Sequence, residues 1–410
     1  MSRCSTSRCR GRSWKPEVSG LRIVVSAFGD AGHACPAIGL ARDLDAAGHE
    51  VLVETWERWR RAVDELGLEF RAAESYTVFP PPPPGEDPSA ADAALALAPL
   101  FKEFRPDVVV SDILTLAPTL AAEIAGVRHV TLIPHLYAVH ERGMPFFAIG
   151  AGLPRTRLGR AAWRAMTPVL EIGLRQGREE LNQTRAQLGL APLDRFHGGI
   201  SEELVLVGTY PGLEYPREWP AHVKVVGPQT FSMEHPAVEL PSGEGPLVVV
   251  APSTAHDPQA ALVRCTLEAL ADEPVRVLAT TNGHMPSEPI EVPGNAVLSG
   301  WLSYDQAMPL ADLVVCHGGH GTVVRALAEG KPLLVSPAVG DMVENGVRVQ
   351  WAGCGRMLPS RLRRPASMRA VVREMLSEPR YAQRAHAVGA WRVGESSTAV
   401  AEIERLFEGR

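Results

Sequence analysis

Residues 317 to 322 read His-Gly-Gly-His-Gly-Thr, directly after the short apolar run Leu313 to Cys316. The chain then passes into a helical pattern with Val323, Val324, Leu327 and Ala328 on its inner side. A glycine-rich turn at a helix start aims unpaired backbone N–H groups and the positive end of the helix dipole at one spot. Such a spot binds anions, phosphate above all, and the glycines let the backbone approach closely. An ordinary strand-to-helix turn would read the same way locally. A second apolar run, Pro332 to Val335, is followed by a loop carrying Asp341.

Other residues that could do chemistry stand at strand ends. His33 follows the first apolar run by five residues, and Asp112 closes the run Val-Val-Val-Ser-Asp. If those two strands are neighbours, the side chains can meet. A carboxylate accepting from one imidazole nitrogen fixes the tautomer and makes the other nitrogen a general base. A helix-capping or core histidine and a capping aspartate are the alternatives. In the second half, Ser253 and Thr254 follow a buried run and could bind phosphate oxygens, and Trp301 could stack on a planar base or simply pack in a core.

The elements that must position these residues alternate. Leu21 to Phe28 reads as a buried strand, then a helix from about Pro36 to Ala47, a strand Glu50 to Thr55 and a helix from about Trp59 to Leu66. Further strands are expected at Asp107 to Asp112, Val127 to Pro134, Leu204 to Thr209 and Lys224 to Pro228, with a long helix from about Ala161 to Leu188. A second series starts with strand Leu247 to Ala251, helix from about Pro258 to Ala271, and strands Val275 to Thr281 and Ala296 to Trp301. It ends in a helical region from Pro365 to about Gly409. Strand–helix alternation predicts parallel sheets covered on both faces. The expected class is α/β, with two doubly wound Rossmann-like domains facing each other across a cleft. Residues 1–20 are expected to be a flexible tail, 21–230 the first domain, 231–246 a proline- and glycine-rich linker and 247–410 the second domain. In such folds ligands sit at the carboxyl ends of the strands, so one cleft should be served by both halves.

Composition narrows the partners. The chain of 410 residues is 45% hydrophobic and 21% charged with a net charge of −6, which describes a soluble globular protein and argues against nucleic acid. The apolar runs are strand-sized, shorter than the ~20 residues of a membrane span. Six scattered cysteines without a CxxC pair suggest reduced thiols and a cytoplasmic setting. A dinucleotide oxidoreductase would need GxGxxG after the first strand, where this chain has GDAGHA.

Taken together, G-H-x-x-P at residues 32–36, the aspartate after VVVS, and W…HGGHGT…GKP…P…D…N make the chain resemble family 1 glycosyltransferases, in particular the bacterial branch acting on small natural products. The resemblance spans about residues 21 to 405. It implies the GT-B fold, with the acceptor bound by the first half and a UDP- or dTDP-sugar by the second. It also implies inverting transfer of a hexose or deoxyhexose without a metal or other cofactor, and a last helix crossing back to the first domain. On this resemblance His33 is the base that deprotonates an acceptor hydroxyl and Asp112 its orienting partner. Ser253 and Thr254 lie near the diphosphate, Trp301 stacks on the nucleobase with Leu302 beside it, and His317, Gly319, Gly321 and Thr322 form the diphosphate cradle. Asp341 binds sugar hydroxyls, and Asn345 follows at the family's spacing. Two residues depart from the pattern. Arg325 replaces a glutamate that holds ribose hydroxyls, leaving UDP or dTDP open and turning a guanidinium toward phosphate or solvent. Met342 replaces a glutamine, which suits a less hydroxylated sugar.

The irregular segments 72–93, with five prolines from Pro80 to Pro84, and 135–160 are expected to shape the acceptor pocket; their apolar content suits an apolar, aromatic or polyketide-like molecule. A homodimer is compatible with the sequence. A non-catalytic nucleotide-sugar-binding protein on the same fold is the alternative from another class, and an epimerase a third.

Overall fold

The computed structural model describes residues 20–76, 88–233, 238–253, 257, 259–284, 286–391 and 398–408. The expected tail, the Pro80–Pro84 tract and Thr254 lie outside them.

The first unit is a parallel sheet of seven strands. It begins β1 (Arg22–Ser26), α1 (Ala31–Ala46), β2 (Glu50–Thr55), α2 (Arg60–Asp64) and β3 (Glu69–Ala72). Helices α3 (Ala90–Ala96) and α4 (Ala98–Phe104) lead to β4 (Val108–Asp112), α5 (Ala117–Ala125) and β5 (Arg128–Ile133). The long α6 (Arg157–Gln187), β6 (Leu204–Val207) and β7 (Val223–Val225) complete it. The strand order is β3-β2-β1-β4-β5-β6-β7, so the winding reverses between β1 and β4. These two strands pair in register, Ser26 opposite Ser111. Their continuous valine and isoleucine runs suit a sheet buried on both faces. Ile23, Val25, Val108 and Val110 are fully buried, each burial contributing roughly 1.5–3 kcal/mol.

The second unit repeats the design with six strands. It contains β8 (Leu247–Ala251), α7 (Ala261–Leu270), β9 (Arg276–Thr280), β10 (Ala296–Ser299), α8 (Tyr304–Ala307) and β11 (Leu313–Cys316). Then come α9 (His320–Ala328), β12 (Leu333–Val335), α10 (Asp341–Ala352) and β13 (Gly355–Met357). The order β10-β9-β8-β11-β12-β13 reverses between β8 and β11, where Ala251 pairs with Cys316. Helices α11 (Pro365–Ser377) and α12 (Arg380–Gly389) cover this sheet, whereas α13 (Ala399–Arg405) packs on α1 and β6 of the first unit. Ala399 and Ile403 are buried in the first unit's core.

Three local expectations change. Helix α1 starts at Ala31 rather than near Pro36, because His33 N–H and Ala34 N–H both donate to Asp30 O, at 2.9 and 2.8 Å. Proline is tolerated inside the helix at the loss of one backbone bond. The expected strand through Trp301 stops at Ser299. The short strands β3 and β13, on the two sheet edges, carry no alternating pattern that announces them. Among the described residues, no helix is long and apolar enough to cross a membrane.

Candidate active site

Both reversal points face the same cleft. At the first, His33 lies on the opening turn of α1 and Asp112 at the end of β4. His33 Nδ1 is 2.8 Å from Asp112 Oδ1, and Phe28 N–H donates to Asp112 Oδ2 at 3.3 Å. Asp112 is fully buried, and a buried carboxylate without partners would be costly. Here the Nδ1 proton and the amide supply them. This leaves His33 Nε2 as a lone pair. Burial alone would lower the His33 pKa, but the hydrogen bond and charge of Asp112, with the charges of Asp341 and Asp30 beyond, hold it above 6.5.

At the second reversal point the turn after β11 enters α9. Gly318 takes φ +90°, and an added Cβ there would come within 2.7 Å of Val335 Cγ1 and 2.8 Å of Met342 O. Gly319 is the residue before the helix and no side chain caps it, so the first-turn N–H groups have no side-chain competitor. A Cβ on Gly319 would meet no atom within 4 Å, and one on Gly321 only Arg325 Nη1 at 3.4 Å. Thr322 is partly buried beside them.

The histidines of this turn are more occupied than their spacing suggests. His317 is buried, and its Nδ1 accepts the Ser253 N–H at 2.7 Å. The ring proton therefore sits on Nε2, 3.3 Å from Asp257 Oδ2. Asp257 also caps α7 through the N–H groups of Ala261 and Leu262, at 2.8 and 2.9 Å. Burial works against its charge, but His317 and these amides prevail and lower its pKa to about 2. Asp257 was not visible as a site residue because only the fold places it against His317. His320, the third residue on, has Nδ1 3.0 Å from Asn345 Oδ1 and Nε2 3.3 Å from Gly208 O of the first unit. Burial lowers its pKa to about 4. Asn345 Nδ2 donates to Gly318 O at 2.9 Å, so both ends of this amide brace the turn.

The remaining candidates sort by position. Trp301 is 55% exposed, and its indole lies over Gly283, where a Cβ would come within 2.7 Å of the ring. Leu302, next in the chain, is buried in the second core. Asp341 begins α10 rather than lying in a loop, after Gly340 at φ +60°. Arg325 turns away from solvent, with Nη1 bordering Gly321 of the turn. Its Nη2 donates to Phe231 O at 2.6 Å and Ser232 Oγ at 3.0 Å, so it fastens the inter-unit linker to α9.

A buried ionic cluster unseen in the sequence closes the back of the cleft. Arg348 Nε donates to Glu344 Oε1 at 2.8 Å, and its Nη1 donates to Glu214 Oε2 at 3.2 Å and Leu213 O at 3.1 Å. Its guanidinium lies 3.5 Å above the Tyr215 ring centroid. Glu344 Oε2 accepts from Ala148 N–H at 3.2 Å, and Glu214 Oε1 from Tyr137 N–H at 2.7 Å. Helix α10 thus faces the phosphate turn through Asn345 and the segment 137–148 through Glu344.

Comparison with known proteins agrees with this architecture. Residues 264–403 match the family model of the erythromycin biosynthesis protein CIII-like C-terminal domain. The chain is 29% identical over 429 residues to 4'-demethylrebeccamycin synthase of Lentzea aerocolonigenes, covering 95% of this chain and 99% of that protein. It is 28% identical over 427 residues to O-mycaminosyltylonolide 6-deoxyallosyltransferase of Streptomyces fradiae, covering 94% and 95%. The Streptomyces sp. SF2575 glycosyltransferase SsfS6, solved with thymidine diphosphate, shares the fold at a TM-score of 0.64 and 21% identity, covering 95% of this chain and all of that one. The protein is a glycosyltransferase of the GT-B fold. Within that class its second half is similar to the EryCIII-like C-terminal domain.

Proposed function

We propose that the protein transfers a hexose or deoxyhexose, with inversion and without a metal, from a UDP- or dTDP-sugar to a hydroxyl of a small apolar natural-product aglycone. The observation that carries this reading is the His33–Asp112 pair, 2.8 Å apart at the first reversal point, across the cleft from the glycine turn. His33 Nε2 takes the acceptor proton as the acceptor oxygen bonds to the anomeric carbon. The bond from that carbon to the diphosphate oxygen breaks on the opposite face, and the nucleoside diphosphate leaves. Asp112 stabilises the imidazolium that forms. The first-turn N–H groups of α9 stabilise the negative charge growing on the leaving group, the role a metal plays elsewhere. Trp301, with Leu302 beside it, takes the nucleobase. Gly319, Gly321, Thr322 and the turn after β8, with Ser253 and Thr254, take the diphosphate. Asp341 takes sugar hydroxyls.

His317 and Asn345 act here as braces, since their polar atoms are engaged within the protein. Met342, beside Asp341, offers the sugar no amide, which favours a donor with fewer hydroxyls. Thymidine diphosphate bound to the structural relative supports a dTDP-sugar over a UDP-sugar. The test is His33→Ala assayed for nucleotide release with a panel of aglycones. Turnover should be abolished while nucleotide still raises the melting temperature. Unchanged turnover would refute the base assignment.

A further inference from the structure

His135 follows β5 and stands beside the base. Its ring packs edge-on against His33 with centroids 5.9 Å apart and planes at 83°. It also lies 6.0 Å from the Phe147 ring, tilted by 31°. Electrostatically it couples to His33, Asp341 and Asp112 and to His320 of the phosphate turn, which places it where the two units meet. Its Nδ1 is 2.7 Å from Leu136 O. A carbonyl only accepts, so Nδ1 carries the ring proton. Burial further disfavours the charged form. His135 Nε2 is then a bare lone pair, and no described residue donates to it. His33, with its Nδ1 proton on Asp112, presents a second bare Nε2 one ring contact away.

We infer that His135 is a specificity-determining residue that accepts a hydrogen bond from a second hydroxyl or amino group adjacent to the hydroxyl His33 deprotonates. This rests on the reading of His33 as base. It names a substrate class: acceptors carrying vicinal or ortho donor groups, with Phe147 as a flat wall favouring aromatic ones. A sugar hydroxyl could make the same bond, but His135 belongs to the first unit and touches the base ring to ring. A lone hydroxyl would leave Nε2 without a donor, and an unmatched buried acceptor weakens binding.

The test measures binding of 2,3-dihydroxynaphthalene and 2-naphthol by calorimetry, with saturating dTDP, on the wild type, His135→Phe and His135→Gln. The wild type should bind the diol about tenfold tighter than the mono-ol. His135→Phe should abolish that preference without weakening 2-naphthol binding, which also reports that the variant is folded. His135→Gln, whose amide oxygen reaches the place of Nε2, should restore part of it. Equal binding in the wild type, equal weakening of both probes in His135→Phe, or a preference that survives in it would overturn the inference. So would a change confined to the choice between donor sugars with and without a 2-hydroxyl. Binding needs no turnover, so an active His33→Ala variant would sink the base reading without touching this measurement.

Discussion

Arg348 of α10 and Glu214 of the first unit are buried together, with Nη1 3.2 Å from Oε2, and they tie the two α/β units across the back of the cleft. Removing Arg348 leaves Glu344 as uncompensated buried charge and Glu214 with only Arg217, 4.0 Å away. Arg348→Ala should therefore cost about 3–5 kcal/mol of stability, read as a fall in the urea midpoint. Arg61→Ala, which breaks the exposed ion pair with Glu65, should leave the midpoint where it is. Equal effects of the two substitutions would show that the cluster does not hold the units together.

The His33 imidazole owes its raised pKa to Asp112 more than to any other charge acting on it. A base works deprotonated, so turnover should rise with pH along a limb set above 6.5. Asp112→Asn removes the charge, and the limb should move to lower pH. The maximal rate should also fall, by roughly 10²–10⁴-fold, because imidazole orientation and imidazolium stabilisation are both lost. A pH profile of kcat that keeps its limb in the variant would contradict this.

Two adjacent glycines of the phosphate turn should separate by experiment. Gly318→Ala forces a Cβ into Val335 and the Met342 carbonyl at φ +90°, and should destabilise by about 1–3 kcal/mol or more. Gly319→Ala meets no protein atom within 4 Å and should melt like the wild type. Its Cβ stands where phosphate must approach, however, so dTDP affinity measured by calorimetry should fall at least about tenfold.

His129 and His320 are both held neutral by burial, with pKa values lowered to about 4. The unfolded chain protonates them near 6.5. Between those values the unfolded state binds more protons, so stability falls as pH drops from about 6.5 to about 4. Each group contributes at most about 1.4 kcal/mol per pH unit. His33, raised in the folded state, acts in the opposite sense: its stabilisation is present below 6.5 and lost as pH rises through its folded pKa. Urea midpoints at pH 7 and pH 5 would decide, and His320→Gln should flatten the dependence.

Much of this was readable in the chain. Valine-rich runs between helical periods gave two doubly wound sheets, and the glycine turn after β11 lies where its spacing put it. His33 and Asp112 could be paired because parallel winding makes β1 and β4 neighbours. What could not be read depends on tertiary meeting. Glu214 and Arg348 are 134 positions apart, and only the i,i+4 spacing of Glu344 and Arg348 hinted at a pair. The anchoring of Arg325 to Phe231 and Ser232 could not be read either, because these partners lie 94 and 93 positions away. Pro36 was misleading as a helix start, since the Asp30 carbonyl nucleates α1 a turn earlier.

Helix α10 is bound on one side to the phosphate turn and on the other to the first unit, which bears on recombination between relatives. A chimera joined at the linker would take α10 with the donor half and leave Glu214, Tyr215 and the 137–148 segment behind. A hybrid with this second half keeps the Arg348–Glu344 pair but loses Glu214 and the Tyr215 ring, and one with this first half keeps a buried Glu214 without Arg348. Grafting residues 137–148 and 213–217 together with the second half keeps the ionic cluster in one parentage, so the crossover that preserves the enzyme is discontinuous in sequence.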